Sequence, residues 1–428
     1  MKVAVVHDWL TQIAGAERVL EEILQIWPDA ELFAVIDCVP AGQRGFLRDR
    51  PVHTSFVQRL PGVQRFYRHY FPLMPLAVEQ FDLSGFDLVI SSSHAVAKGV
   101  LTGPDQLHVS YVHSPMRYAW DLQHQYLRES RMERGVLSWL ARWQLHRLRI
   151  WDQRTANGVD HMIANSAFIA RRIHKIYRRE ATVIHPPVDV DLFTPGAPGE
   201  RTGDFYLTAS RVVPHKRMDL IVDAFAQLPE RRLVVIGEGP ALKRIRRQAP
   251  ANVQFLGYQP ADILRNHMRR ARAFIFAAEE DFGIIPVEAQ ACGTPVIAFG
   301  KGGVRETVVA LERADAASAP VVPSRERDDA EVPQQGIRAG DSGRGTVRAL
   351  RGGSRAAAGE TRAPTGVFFP KQRVESLLEA IALFEANEAR FDPAAIRRHA
   401  EHFAAERFRS EMRNFVARAW REWRGDGS

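Results

Sequence analysis

The chain of 428 residues is long enough for two domains of ordinary size, each able to bury its own core. Its 45% hydrophobic and 25% charged residues are the balance of a soluble globular protein, and no run of about 18 apolar residues argues for a spanning helix. Only two cysteines, Cys38 and Cys292, are present, so a disulfide framework is excluded and a reducing compartment is the simpler expectation.

The net charge of +8 is unevenly placed: Arg117 to Glu180 carries thirteen Lys/Arg against six Asp/Glu. Such a cluster suits nucleic acid, an anionic membrane surface or a phosphorylated ligand, and a solvated helix face is the plain alternative.

In chain order, MKVAVVHDWL reads as a short buried strand rather than a signal peptide, and ERVLEEILQIW as the helix after it. AELFAVI, FDLVISSS, LHVSYVHS and HMIANS continue as strands between helical patterns. DFYLTASR, RRLVVIGEG, NVQFLGY, ARAFIFAA and TPVIAF repeat the scheme in the second half. Strands alternating with helices predict parallel sheets covered on both faces. We therefore expect an N-terminal domain over 1–190, a second domain over 191–400 and a terminal helix over 401–428. VIHPPVDVDLFTPGAPGERTG has the composition of the linker between the domains. From Gly300 to Val367 there is no Phe, Tyr or Trp. This predicts a disordered insertion over roughly 310–364, because so little apolar surface cannot offset the ordering entropy.

Several short stretches bear on chemistry. In VVHDWLTQIAGAERVLEEI the Gly15 loop precedes a helix, where backbone N–H groups and the helix dipole attract phosphate. His113 follows a strand in YVHSPMRYAWD and could hydrogen-bond a sugar or phosphate, or carry a proton. In LTASRVVPHKRMDL, Arg211 and Lys216 fall at the carboxyl edge of the second sheet, where two cations can neutralise a diphosphate. Gly237 and Gly239 in VVIGEGP mark a turn at the same edge. Asp189 and Asp191 sit in a turn context and are assigned no metal. In EEDFGIIPVEAQACG, Gly283 and Pro286 predict Glu280 in a loop and Glu288 near a helix start, so the two carboxylates do not share a helix face. The stretch 136–151 places Trp139 and Trp143 on one side and Arg142, His146 and Arg149 on another, which suits either a membrane interface or packing on the core.

Taken together, the Glu280 and Glu288 pair, the Gly15 loop, the His113 loop, Arg211 with Lys216, and the Gly237 turn resemble, in order, the motifs of glycosyltransferase family 4. The resemblance covers nearly the whole chain outside 310–364. It implies an α/β GT-B fold, with two Rossmann-like domains facing an interdomain cleft and the C-terminal helix packing back on the first. It further implies a retaining hexosyltransferase using a nucleotide sugar, most like a mannosyltransferase using GDP-mannose, with a glycan or polyprenyl-linked acceptor in surface-polysaccharide biosynthesis. By the same resemblance Gly15, Arg211 and Lys216 contact the diphosphate, Glu288 the ribose, and Glu280, Asp281, Phe282, Gly283 and Ile284 the donor sugar. Glu280 and His113 are the catalytic candidates. Neither a metal nor another cofactor is expected, nor a nucleic-acid partner. The expected location is the cytoplasm, peripheral at the inner face of the membrane. Ala14 stands where the family's first loop usually carries another glycine. An epimerase of the same architecture, or a chain inactivated by the 310–364 segment, is the alternative.

Overall fold

A computed structural model describes residues 1–130, 132–197, 203–311 and 363–425. The first sheet contains β1 (Val3–His7), β2 (Glu31–Ala34), β3 (Val52–Thr54), β4 (Leu88–Ser93), β5 (Leu107–Val112), β6 (His161–Ala164) and β7 (Thr182–Val183), in the order β3-β2-β1-β4-β5-β6-β7. The second contains β8 (Phe205–Ala209), β9 (Arg232–Ile236), β10 (Val253–Gly257), β11 (Phe274–Phe276), β12 (Val296–Phe299) and β13 (Gly366–Phe369), in the order β10-β9-β8-β11-β12-β13. Every strand pair is parallel, as the continuous apolar strands predict.

Alternation along the strands divides the first domain's core. Val3, Val5, Leu88 and Ile90 pack on one face, while Ala4, Val6 and Val89 pack on the other. In each sheet the chain leaves the first strand to one side and returns to the other, so β1/β4 and β8/β11 are topological switch points. Ligand clefts form at the carboxyl ends of such strands.

The final helix, Ala405–Arg424, carries Phe408, Met412, Phe415, Val416 and Ala419 on one stripe. All five join the core of the first domain against Val19, Leu20 and Ile23, so the chain ends on the domain where it began.

One expectation changes. The predicted linker is in part core: Ile184 belongs to the first domain's apolar cluster, and Val188, Val190 and Phe193 to the second's. The crossing is therefore confined to His185-Pro186-Pro187, because the apolar residues beyond it tuck under the second sheet. Of the stretch 310–364, where a disordered insertion was expected, residues 312–362 lie outside the described residues. The flanking chain is described, and the Thr365 N–H donates to Val309 O at 2.8 Å while the Val309 N–H donates to Thr365 Oγ1 at 2.9 Å.

Candidate active site

A cavity of about 600 Å³ opens between the two domains at both switch points. From the first domain it is lined by Ile13 to Ala16, His113, Arg117 and Asn165. From the second it is lined by Ser210, Arg211, His215, Lys216 and Glu280 to Ile285. Its size lies within the range of sites that hold small molecules. Gly15, His113, Arg211, Lys216, Glu280, Asp281, Phe282, Gly283 and Ile284, chosen from sequence, thus come together at one place.

Gly15 opens the Gly15–Ile26 helix, whose N-cap is Ala14. Glu17 accepts from the Ala14 N–H at 2.9 Å through Oε2, which stabilises the first turn. The domains approach so closely here that a Cβ on Gly15 would stand 2.9 Å from Ile284 Cδ1.

Lys216 lies at the end of a short 3-10 turn, Pro214–Lys216, and forms an ion pair with Glu280. Burial, helped by the Arg117 charge and opposed by Asp281, brings the Lys216 ammonium down to about 8. Glu280 is thereby held by a cation and not poised as a free base.

Asp281 points to the first domain instead. Its carboxylate pairs with Arg117 at 3.2 Å and Arg172 at 3.6 Å, and its carbonyl accepts from Ser166 Oγ at 2.6 Å. Nearby, Glu306 accepts from the N–H groups of Ala167 and Phe168 at 2.7 and 3.0 Å, and from His185 at 3.0 Å. It supplies from one domain the carboxylate that the Ala167–Tyr177 helix of the other lacks in its first turn.

Three expected residues are placed elsewhere. Glu288 lies one turn into the Ile284–Ala291 helix, buried and off the cavity lining, where Oε1 accepts from Arg18 Nη1 at 2.9 Å. Burial raises its carboxyl and the Arg18 guanidinium opposes that shift. Gly237 and Gly239 also do not line the cavity. Gly237 has φ +136°, and a Cβ there would stand 1.9 Å from Ser210 O; at Gly239 it would stand 2.3 Å from Val212 O. These glycines let the turn after β9 press on the loop that carries Arg211.

Beneath His113 lies a polar floor that sequence reading passed over. Asp8 accepts backbone N–H bonds from His94, Ala95, Val96 and Ala97 and contacts His94 Nδ1 at 2.9 Å. Burial raises this carboxyl, but His94 and the backbone donors outweigh it and hold it far below the usual carboxylate range. The signal was legible: HDWL and SSSH are the carboxyl ends of the two strands at the switch point. Asn165 Nδ2 donates to His113 O at 3.0 Å and so fixes the backbone of the histidine loop.

Of the two settings expected for the helix at 136–151, packing of its apolar stripe on the core is not found. Val136, Leu137, Trp139, Leu140 and Trp143 are exposed, Trp139 by 65%. Arg149 turns inward, donating to Ala119 O at 2.8 Å and Gln123 Oε1 at 2.6 Å, and Arg142 donates to Ser138 Oγ at 3.2 Å. Arg149 alone of these ties the helix to other elements, and His146 and Arg147 are exposed. Among the described residues no helix is long and apolar enough to cross a membrane.

Residues 13–192 match the family model "Glycosyltransferase Family 4", and residues 197–324 match "Glycosyl transferases group 1". Among similar proteins, the D-inositol 3-phosphate glycosyltransferase of Mycolicibacterium smegmatis is 32% identical over 178 residues, 36% of this chain and 41% of that protein. The GDP-mannose-dependent monoacylated alpha-(1-6)-phosphatidylinositol monomannoside mannosyltransferase of Corynebacterium glutamicum is 32% identical over 178 residues, 35% and 47% of the two chains. These matches span less than half the length of each relative. The fold is shared with sucrose-phosphate synthase of Thermosynechococcus elongatus, at TM-score 0.66 and 15% identity over 98% of this chain and 99% of that one. Anabaena HepE in complex with UDP aligns at TM-score 0.62 and 15% identity over 97% and 100%. With residues 13–192 and 197–324 matched in turn by the two family models and two parallel-sheet domains facing a cleft, the chain belongs to the family 4 glycosyltransferases of GT-B fold.

Proposed function

We propose that this chain is a retaining hexosyltransferase that moves mannose from GDP-mannose to a lipid-linked or polysaccharide acceptor. The observation that carries the reading is the shared cavity, in which a small-residue helix start, two cations and the Glu280 to Ile284 loop meet His113. Arg211 and Lys216 bind the donor diphosphate and stabilise the charge that develops as the sugar departs. When the diphosphate takes Lys216, Glu280 is released to accept from the sugar's hydroxyls. The bond from the anomeric carbon to the diphosphate breaks, the acceptor oxygen bonds to that carbon on the same face, and its proton passes to the departing phosphate. Glu288 reaches the ribose only if its tie to Arg18 loosens, which couples nucleotide binding to the fit of the two domains. Mannose is favoured because a relative named for GDP-mannose matches the chain at 32% identity.

The exposed face of the Val136–Thr155 helix attaches the protein to an anionic membrane. Trp139 and Trp143 enter the interface, and Arg147, whose guanidinium lies 5.2 Å from the Trp143 ring centre, meets the headgroups. That location places the cleft where a lipid-linked acceptor is available.

Labelled nucleotide sugars, each incubated with the protein and a membrane lipid extract, test the reaction. Transfer from GDP-mannose is expected. Transfer only from UDP-sugars removes the mannose assignment, and epimerisation without an acceptor removes transfer itself.

A further inference from the structure

His113 lines the cavity, yet one of its ring nitrogens is already engaged beneath it. Nε2 lies 2.8 Å from Ser92 Oγ, and the same hydroxyl lies 3.1 Å from His7 Nδ1. The other nitrogen of His7, Nε2, faces Glu17 Oε1 at 3.7 Å and has no hydrogen-bond partner among the described residues. His7 and Ser92 are fully buried and Glu17 is 5% exposed, so water does not compete for these groups. The string Glu17, His7, Ser92, His113 runs from the Gly15 loop to the histidine loop. It joins the two parts of the first domain that face the donor.

The protons along this string have one favoured arrangement. Burial raises the Glu17 carboxyl, but His7 and the Ala14 N–H outweigh it and keep Glu17 ionised. A lone pair on His7 Nε2 would then face a buried carboxylate, whereas an N–H there is attracted to it. With its proton on Nε2, His7 offers a lone pair at Nδ1, which accepts the Ser92 hydroxyl proton. The Ser92 oxygen in turn accepts a proton from His113 Nε2. Burial, with the nearby His94 and His7, keeps His113 well below its ordinary value, so it carries only that one proton. Nδ1 of His113, without a hydrogen-bond partner among the described residues, is left with a lone pair.

We propose that Glu17, His7 and Ser92 are positioning residues that hold His113 in one tautomer, with its Nδ1 lone pair presented to the cleft as an acceptor for a sugar hydroxyl. The sugar as ligand rests on the proposed function; the tautomer does not. A hydroxyl binds there by donating, and a ligand oxygen without a proton is repelled. The string therefore selects the orientation of the bound sugar, as the orienting carboxylate of a catalytic triad selects the face of its histidine.

The same geometry makes reversal possible. In Glu17→Gln the amide oxygen keeps the bond from the Ala14 N–H, which turns the amide NH2 toward His7 Nε2. His7 must then accept there, carry its proton on Nδ1 and donate to Ser92. Ser92 donates to His113 Nε2, and the His113 proton moves to Nδ1. One oxygen replaced by nitrogen reverses the contact at His7 Nε2 and, through it, both hydrogen bonds of Ser92.

The test is long-range proton–nitrogen correlation of protein labelled with 15N-histidine. Signals of His7 and His113 are assigned by their loss in His7→Gln and His113→Gln. In the wild-type chain both rings are expected to carry a proton on Nε2 and a lone pair on Nδ1. In Glu17→Gln both are expected to move to the Nδ1-protonated form. In the Glu17→Gln/Ser92→Ala double variant only His7 should move, because the string is cut. A wild-type His113 protonated on Nδ1, or a His113 signal unmoved by Glu17→Gln, overturns the proposal. If Glu17→Gln does not fold, Glu17→Gln/Ser92→Ala is replaced by Ser92→Ala alone, whose His113 Nε2 signal must lose its hydrogen-bond shift; an unchanged signal is equally fatal. Turnover gives a separate reading: kcat of Glu17→Gln is expected to fall about tenfold with the donor KM changed less than about threefold. Absence of any transferase activity would remove the proposed function and leave the tautomer result standing.

Discussion

Arg18 and Glu288, 270 positions apart in sequence, meet at 2.9 Å across the two domains. Arg18 comes from the helix that opens the first domain's side of the cleft, and Glu288 from the helix behind the Glu280 loop. Glu288 is 6% exposed at its side chain and Arg18 35%, so only one partner is strongly desolvated. Arg18→Met is expected to destabilise the chain by about 1–2 kcal/mol, less than a fully buried pair because Arg18 retains solvent. Adding Glu288→Gln should recover much of that loss. A double-mutant cycle from denaturant unfolding measures the coupling, and strict additivity would show that the pair does not join the domains.

Lys216 has its ammonium brought down to about 8. Its depressed value means that the charged form is lost as pH rises through about 8, not lost on acidification. Binding of a nucleoside diphosphate, followed by calorimetry, should be level below that pH and weaken above it. Lys216→Arg should remove the alkaline limb, since guanidinium stays charged, and Lys216→Ala should weaken binding at least about tenfold at pH 7. An unchanged alkaline limb in Lys216→Arg would assign it to another group.

Trp139 and Trp143 are exposed on a helix whose arginines are partly turned inward. Replacing both by Ser should reduce flotation with anionic liposomes by about tenfold or more while leaving the melting temperature within a few degrees. Arg147→Glu should weaken flotation in a salt-dependent way. Arg149→Glu is expected to destabilise the fold, because it removes donors from Ala119 O and Gln123. Unchanged flotation of the double Trp variant would show that this face does not carry the lipid contact.

Val309 and Thr365 are hydrogen-bonded to each other on either side of residues 312–362. A short Gly/Ser bridge therefore suffices to replace those residues without moving β13 from β12. Shortening the connection by about three halvings of length should stabilise the chain by about 2 kcal/mol through loop-closure entropy. Circular dichroism and thermal unfolding of the shortened chain test this, and loss of the fold would show that the excised residues support the second sheet.

His108 is fully buried, with Ser91 Oγ at 2.9 Å from Nε2, and burial pulls it down to about 4. The unfolded chain takes up this proton near pH 6.5 and the folded chain only near 4. The contribution is therefore complete above pH 6.5 and is lost as pH falls toward 4. In His108→Asn the slope of stability against pH between those values should be smaller by up to about 1.4 kcal/mol per pH unit. An identical slope would place the acid sensitivity elsewhere.

Strand identity and the parallel sheets were legible because each signal is local, whereas the cleft residues Gly15, His113, Arg211, Lys216 and Glu280 to Ile284 became a set only through their resemblance to the family's motifs. An apolar run, a small-residue turn or a pair of cations sits within about twenty residues of chain, and the switch-point rule then says which edge they share. The return of the final helix to the first domain was expected from the family resemblance alone; its stripe from Phe408 to Ala419 shows which face is buried and not against which domain.

What only the tertiary structure decided are relationships between residues brought together from distant positions. Glu288 reads locally as a helix-start carboxylate, but Arg18 claims it from the other domain. Asp281 reads as part of a sugar loop, yet Arg117 and Arg172 make it a tie between the domains. His7, Glu17 and Ser92 carry no motif of their own, since β1 and β4 must pair in register before His7 lies beside Ser92. Charge and hydrogen-bond energies depend on distance and burial, and neither quantity exists until the sheets have closed and excluded water.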